Sequence, residues 1–468
     1  LRMENGNFVR DYFKAEFEEE KKDILETIGK LVAVPSVRDE TTAGASSPFG
    51  EGIRKAFDEI ISFAKGSGLA WKDLDGYALH VEIGEGDEVV GILAHADVVA
   101  AGDISFWNTD PFTATVKDGF MYGRGINDDK AAIAGVLHLM KLIKESGWNP
   151  KKRIRLIVGG AEETAWECME HYLSKEQEPA AAFSPDCDFP VVNCEKGIIR
   201  GVLKGKVRHE TGVHSALLDI SSEESFDNML HRIKVKIAGD EMTDPILTHA
   251  GFIQSEGALE KTYETGKVQS RNPQRSVNAA FSMQEELRQL YPYDPVVEEV
   301  SSFIRKWFPD LPYGDSIGIA HSDEETGRLS MALCHLNLKD GELKAGFDIR
   351  YPNGVDEEGL VERLRELAEA DGLDLEIVKI RRRLYHSPES ELVSKLLDSY
   401  ESVTGIRPKP VTKGGASYSR ALRNCVGFGP TFPGEVPDSH GPNEKIDLQS
   451  FFKALEIYFE AILRLGSG

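Results

Sequence analysis

The stretch Val89-Val90-Gly91-Ile92-Leu93-Ala94 is apolar at every position and is bounded by acidic and glycine-rich turns. A strand with one face in water alternates apolar and polar residues. An unbroken apolar run belongs to a strand covered on both faces, as in a parallel sheet flanked by helices. This run ends at His95. A second strand is predicted over Ile154–Val158. Between the two lies a helical pattern from Lys130 to Lys144, in which Ile133, Val136, Leu137, Met140 and Ile143 share one face. A helix is predicted after Thr164. Another is predicted from Val9 to Val32, where Phe13, Phe17, Ile24, Ile28 and Leu31 recur at helical spacing before Pro35. Strands alternating with helices predict an α/β domain.

The pattern changes near Gly197. Short strand-like runs follow, such as Ile233–Ile237, which alternates apolar and basic residues. Helices are predicted near Phe226–Leu230 and Pro295–Phe308. This middle stretch reads as a separate α+β domain. From Glu389 the chain returns to a helix–strand–helix pattern, and Phe451, Leu455, Tyr458, Phe459 and Ile462 line the face of a last helix. The simplest organisation has residues 1–196 and 385–468 forming one domain, with 197–384 inserted. At roughly 150 residues per domain, 468 residues suit three such units, or two with insertions.

Composition narrows the functional classes. With 55 basic and 78 acidic residues the formal charge is −23. Nucleic acid is therefore not expected as a partner, because neutralising phosphates takes clustered Lys and Arg. No apolar run approaches the roughly 18 residues that span a bilayer. Residues 1–22 lack the apolar segment and cleavage site of a secretory signal. The five cysteines (Cys168, Cys187, Cys194, Cys334, Cys425) are scattered and form no CxxC pair. Reduced thiols in a cytoplasmic chain are the expectation.

Several residues could carry chemistry. His95 stands at the C-terminal end of a buried strand, where open α/β sheets place ligands. Asp97, two residues on, could accept the imidazole's other N–H, as carboxylates behind metal-bound histidines do. The alternative is a histidine hydrogen-bonded at a strand end. Asp128 and Asp129 precede the Lys130–Lys144 helix and could cap it, or one of them could bridge two metal ions. Glu162 and Glu163 follow the Ile154–Val158 strand. One could bind metal and the other act as a general base, or both could lie at a solvated helix start. Asp186 follows Ser184-Pro185 and reads as a turn residue or a ligand. His440 lies in a loop rich in Gly and Pro. Together these form a His, Asp and Glu set suited to two zinc ions sharing a carboxylate.

In this order, His95-x-Asp97, Gly123-Arg124-Gly125-x-x-Asp128-x-Lys130, Glu162-Glu163, Ser184-Pro185-Asp186 and His440-x-Pro442-Asn443-Glu444 resemble the dinuclear-zinc dipeptidase, carboxypeptidase and aminoacylase superfamily. The likeness is greatest to peptidase V and the carnosinase-like (Xaa-His) dipeptidases. Further matches are Trp107–Phe112, Phe347–Pro352, Gly414–Arg420 and Thr431–Gly434. The resemblance implies an α/β zinc-peptidase catalytic domain with a large inserted α+β lid. It implies that His95 and Asp186 bind one zinc, Glu163 and His440 the other, and that Asp128 bridges them. Mn²⁺ or Co²⁺ would suit the same ligands. Glu162 would be the general base and Asp97 the carboxylate behind His95. The Asp128–Asp129 peptide would be cis.

The implied activity is hydrolysis of dipeptides. The alternatives are an amidohydrolase acting on N-acyl amino acids, or a catalytically impaired homologue that binds metal or peptide. Arg350 would hold the substrate carboxylate, since a guanidinium binds it bidentately. The Gly414–Arg420 loop, with Gly415 and Ser417, would add donors. The double-sized lid implies a monomer. Two lid positions depart from the pattern. Gln269 stands where the family has a lid histidine that bonds the oxyanion; losing such a donor costs about 2.7–4 kcal/mol. Ser215 falls near a substrate-binding Asn, with His214 beside it. Ala131 also replaces a Gly after the motif lysine.

Overall fold

The computed structural model describes residues 6–207, 214–255, 257–436 and 439–467. They fall into two compact units of mixed α/β structure. The first takes in the described residues of Leu1–Asn193, His386–Val411 and Ala416–Gly468; the second takes in those of Cys194–Tyr385 and Thr412–Gly415.

The first unit is built on a twisted sheet. Its strands run in the order Ala70–Leu74, Ala78–Ile83, Arg153–Gly159, Val89–His95, Ala181–Ser184, Cys425–Gly427 and Val192–Glu195; the chain passes into the second unit within the last of these. The centre is parallel. Val89–His95 pairs in parallel with Arg153–Gly159 on one side and Ala181–Ser184 on the other, and Cys425–Gly427 from the C-terminal segment joins Ala181–Ser184 in parallel. All seven residues of Val89–His95 are buried, as their unbroken apolar character predicts. The helix Ala131–Glu145 is buried on nearly every side. That is the signature of a helix sealed between neighbours. The helices Gly6–Val32 and Leu448–Gly466 pack on it, and Phe13 stacks on Phe459 with ring centroids 3.9 Å apart.

The second unit holds an antiparallel sheet of eight strands, ordered Ile253–Ser255, Ala258–Glu264, Arg232–Ala238, Ala216–Ser221, Ser330–Lys339, Glu342–Tyr351, Gly197–Lys206 and Asp374–Arg381. Arg232–Ala238 buries alternate residues, with Ile233, Val235 and Ile237 in the core. The helices Ala279–Leu287, Pro295–Trp307 and Glu357–Ala370 contribute to the same core. Asp294 starts the second of them by accepting the N–H groups of Val296 and Val297.

The helix predicted near Phe226–Leu230 does not form. Leu230 donates its N–H to Leu333 O at 2.8 Å, and Met229 donates to Val268 O at 3.0 Å. Asn228 makes an isolated antiparallel bridge with Gln269. Long-range partners therefore hold this backbone extended. Its apolar spacing is satisfied instead by packing of Met229 with Ala332 and Cys334. All five cysteines are buried thiols. No helix among the described residues is long and apolar enough to cross a membrane.

Gly159 ends its strand directly beside His95 in the parallel register. A Cβ there would lie 1.8 Å from the Tyr418 hydroxyl, which is buried and bonded to Cys168 Sγ at 3.0 Å. Gly159→Ala is expected to destabilise the first unit by about 1–3 kcal/mol through overpacking. Scanning calorimetry checks this; an unchanged transition temperature would contradict it.

Candidate metal centre

The parallel strands of the first unit end together, and their ends carry the acidic and imidazole side chains. His95 closes its strand fully buried. Its Nδ1 lies 2.9 Å from the main-chain oxygen of Asp97 and 3.5 Å from the Asp97 carboxylate. The sequence suggests that the carboxylate alone orients this ring; the carbonyl is in fact the nearer acceptor. The Asp97 carboxylate has a second task. It accepts the N–H groups of Glu162 at 3.1 Å and Glu163 at 3.0 Å, which fixes the turn after Arg153–Gly159.

His95 Nε2 points the other way, 2.8 Å from Asp128 Oδ1 and 3.9 Å from Asp186 Oδ2. The second oxygen of Asp128 faces His440 Nε2 at 3.1 Å, and the same nitrogen lies 3.0 Å from Glu163 Oε1. Two triples result, His95–Asp128–Asp186 and Asp128–Glu163–His440. The donor atoms within each lie within 4.8 Å of one another. Asp128 belongs to both. The Asp128–Asp129 peptide is cis. Neither aspartate caps the helix Ala131–Glu145. Asp129 turns inward instead, accepting the His95 N–H at 3.3 Å through one oxygen.

The electrostatics are those of crowded anions. Burial pushes the Glu162 carboxyl up to about 8, and the neighbouring Glu163, Asp97 and Asp128 push the same way. Burial and then Asp128 raise Asp186 well above the usual carboxylate range. Asp128 goes the other way: burial opposes its charge, but hydrogen bonds from His440 and His95 hold its pKa low. Hydrogen bonds to Asp128 and Glu163 push His440 up to about 10. Such a pocket favours positive charge. Imidazole and carboxylate donors with one shared carboxylate suit Zn²⁺, Mn²⁺ or Co²⁺, so the residues present fit a divalent-metal centre.

The remaining predicted residues divide between the two units. Ser417, in the first unit, is buried and accepts the Ser419 N–H at 3.3 Å. The other four are in the second unit. Arg350 is buried, with Nε 2.5 Å and Nη2 2.9 Å from the two oxygens of Asp348, and Nη1 donating to Gly414 O at 2.8 Å. Arg200 shares Asp348 through its Nε at 2.8 Å. Gln269 is exposed. Gly415 sits against Arg271; a Cβ there would lie 2.8 Å from its Nη1. Ser215 is buried and donates its hydroxyl to Asp294 at 3.1 Å, the carboxylate that caps Pro295–Trp307.

Comparison with known proteins identifies the family. The model of peptidase family M20/M25/M40 matches residues 91–464. The chain belongs to that family. "Putative dipeptidase YtjP" of Bacillus subtilis (strain 168) is 30% identical over 463 residues, covering 95% of this chain and 98% of its own. A "Putative dipeptidase" of Staphylococcus epidermidis is 30% identical over 461 residues, covering 96% and 98%. Among solved structures, the di-peptidase Dug1p of Saccharomyces cerevisiae superposes with a TM-score of 0.59 at 14% identity, covering 98% of this chain and 99% of that one. Human carnosine dipeptidase 1 gives 0.58 at 14% identity with the same coverage. The M20 assignment makes this chain a peptidase of a metal-dependent family, and the two triples are its candidate metal-binding groups.

Sequence reasoning left two neighbours of these triples without a settled place. One is Asp129, which is fully buried beside Asp128. The other is Tyr418, whose ring stands edge-on to His95 at 6.0 Å. Both sit inside motifs already noted, and only the fold brings them to His95. Because Asp128 belongs to both triples, Asp128→Asn is expected to lower bound metal more than either Asp186→Asn or His440→Asn. Elemental mass spectrometry of the three purified variants tests this ranking.

Proposed function

We propose that this M20 peptidase is a dipeptidase using two zinc ions. His95 and Asp186 would hold one, Glu163 and His440 the other, with Asp128 shared. The observation that carries this reading is the pair of triples meeting at one carboxylate. When bound, zinc supplies Lewis-acid polarisation of the scissile carbonyl and lowers the pKa of the attacking water.

The chain's own residues do the rest. Glu162 stands beside the cluster with its pKa raised toward neutrality by burial, which suits a proton carrier. It takes the proton of the water as the C–O bond forms. It returns a proton to the amine nitrogen as the C–N bond breaks. Asp97 positions this base by holding the Glu162 and Glu163 N–H groups. Arg350 is the proposed anchor for the substrate carboxylate. Arg200 and Arg350 share the buried carboxylate of Asp348, and the exposed Asp227 approaches Arg200 Nη2 at 3.9 Å. Gln269, being exposed, keeps a neutral amide for substrate. Gly415 and Ser417 would contribute through the backbone of their loop. Ser215 is better read as a structural hydroxyl, because its bond to Asp294 supports the unit's own helix.

Five buried thiols suit a reducing compartment, and the cytoplasm is the proposed location. The eight-stranded second unit is read as an enlarged lid, and the protein as a monomer.

Glu162→Gln is expected to lower dipeptide turnover about 10²–10⁴-fold with metal content unchanged. The assay is a dipeptide panel that includes Xaa-His substrates, run beside N-acyl amino acids. Full activity in the metal-loaded variant would remove Glu162 from the mechanism. Turnover of the N-acyl substrates alone would replace the dipeptidase by an amidohydrolase. Arg350→Met is expected to raise KM for dipeptides at least tenfold and to leave C-terminally amidated analogues nearly unaffected. Steady-state kinetics on matched pairs checks this.

A further inference from the structure

His440 is a ligand candidate on a loop with little packing of its own. Its side chain is 54% exposed. The backbone at His440 and Asn443 lies in the left-handed region, at φ 66° and 61°, which residues other than glycine rarely adopt. Something besides packing must hold this loop to Asp128.

Glu444 is placed to do so. Its side chain is buried, and four donors converge on it. Arg124 Nη1 lies 2.6 Å from one oxygen, which also accepts the Gly125 N–H at 3.0 Å. The other oxygen accepts the N–H groups of Asn127 at 2.9 Å and Asp128 at 3.2 Å. The Glu444 main-chain oxygen accepts the Gly123 N–H at 3.0 Å. Around this core the two loops are laced further. Arg124 Nη2 donates to Gly441 O at 3.1 Å, and Asn127 Nδ2 donates to Ser439 Oγ at 2.8 Å. Asn443 bonds outward, accepting the Asn108 N–H at 2.6 Å and donating to Phe106 O at 2.9 Å. The segment 439–444 is thus tied to 123–128 on one side and to 106–108 on the other.

Gly125 belongs to the same device. It turns at φ +76°, and a Cβ there would lie 2.4 Å from Val98 Cγ1. The chain can therefore bend tightly enough for the amides around it to point at one carboxylate. Arg124 is buried too, and needs the Glu444 charge: a buried guanidinium deprived of its partner is costly.

We propose that Glu444 is a positioning residue that locks His440 against Asp128 and so sets the affinity of the Asp128–Glu163–His440 triple for its cation. The proposal rests on the metal-centre reading above. Its reach is selective. His95 is fixed by a buried strand end and by Asp97, and Asp186 follows the strand Ala181–Ser184. Neither depends on the 439–444 loop. Loss of Glu444 releases His440 outright, while Asp128, which loses one backbone bond to Glu444, keeps its side-chain bond to His95.

The test is a titration of the metal-free full chain with Co²⁺, followed by visible absorption against a competing chelator. It compares wild type, Glu444→Gln, Glu444→Asp, His440→Ala and the double variant Glu444→Gln/His440→Ala. Glu444→Gln is expected to weaken one binding step about 10–100-fold, as removal of groups that orient metal ligands does. That step is the one His440→Ala loses. Glu444→Asp keeps the charge and recovers part of the affinity. At that step the double variant binds no worse than His440→Ala, because Glu444 acts on it through His440; any loss through the Asp128 backbone falls on the other step. The proposal is overturned if Glu444→Gln leaves that step unchanged while His440→Ala loses it, or if the two losses add in the double variant. If His440→Ala itself changes neither step, the metal-centre reading is what fails. Should Glu444→Gln not fold, Glu444→Asp carries the test: one methylene shorter, it cannot reach all four donors. It is expected to weaken the same step by a smaller factor, and no shift there would equally overturn the proposal.

Discussion

Buried like charges repel, and the first unit is arranged around that fact. Asp97, Asp128, Asp129, Glu162, Glu163 and Asp186 converge at the ends of parallel strands, with only His95 and His440 between them. In a low-dielectric pocket such a set stays ionised only beside positive charge. The opposite shifts of Asp128 and Glu162 express the same constraint. The carboxylate hydrogen-bonded to both imidazoles is held low, whereas burial pushes Glu162 toward its neutral form against the pull of His95. A polar centre of this kind is tolerable because the sheet behind it is apolar. Val89–Ala94 is wholly buried, so only the strand ends expose chemistry.

That division explains what could be read from the chain. Periodicity reports burial, so Val89–His95 and Pro295–Trp307 were legible from their apolar spacing. The same logic fails where apolar residues are buried by distant partners rather than by a helix face. At Phe226–Leu230 the spacing is helical, but the amides of Met229 and Leu230 are claimed by Val268 and Leu333. No local signal announces those partners.

The site follows the same rule. The residue types and order of His95, Asp128, Glu163, Asp186 and His440 were visible as a set, because each stands at a strand end or in a motif. Their tasks beyond that were not. Asp97 looked like a partner for one imidazole, yet its carboxylate serves mainly to hold the amides of Glu162 and Glu163. Ser215 looked like a substrate contact, yet it serves the cap at Asp294. In both cases a backbone turn brought in a partner that side-chain chemistry alone does not select.

Charge also bears on what such a peptidase admits. A chain carrying −23 repels free carboxylates at long range, and every peptide with a free C-terminus carries one. Local cationic sites must overcome that field. In the second unit Asp348 is fully buried between Arg200 and Arg350, so it orients two guanidinium groups at once. A lone arginine would be free to swing, and two arginines without a carboxylate would repel each other. Sharing one buried acid fixes their geometry, the preorganisation on which the proposed carboxylate recognition by Arg350 would draw.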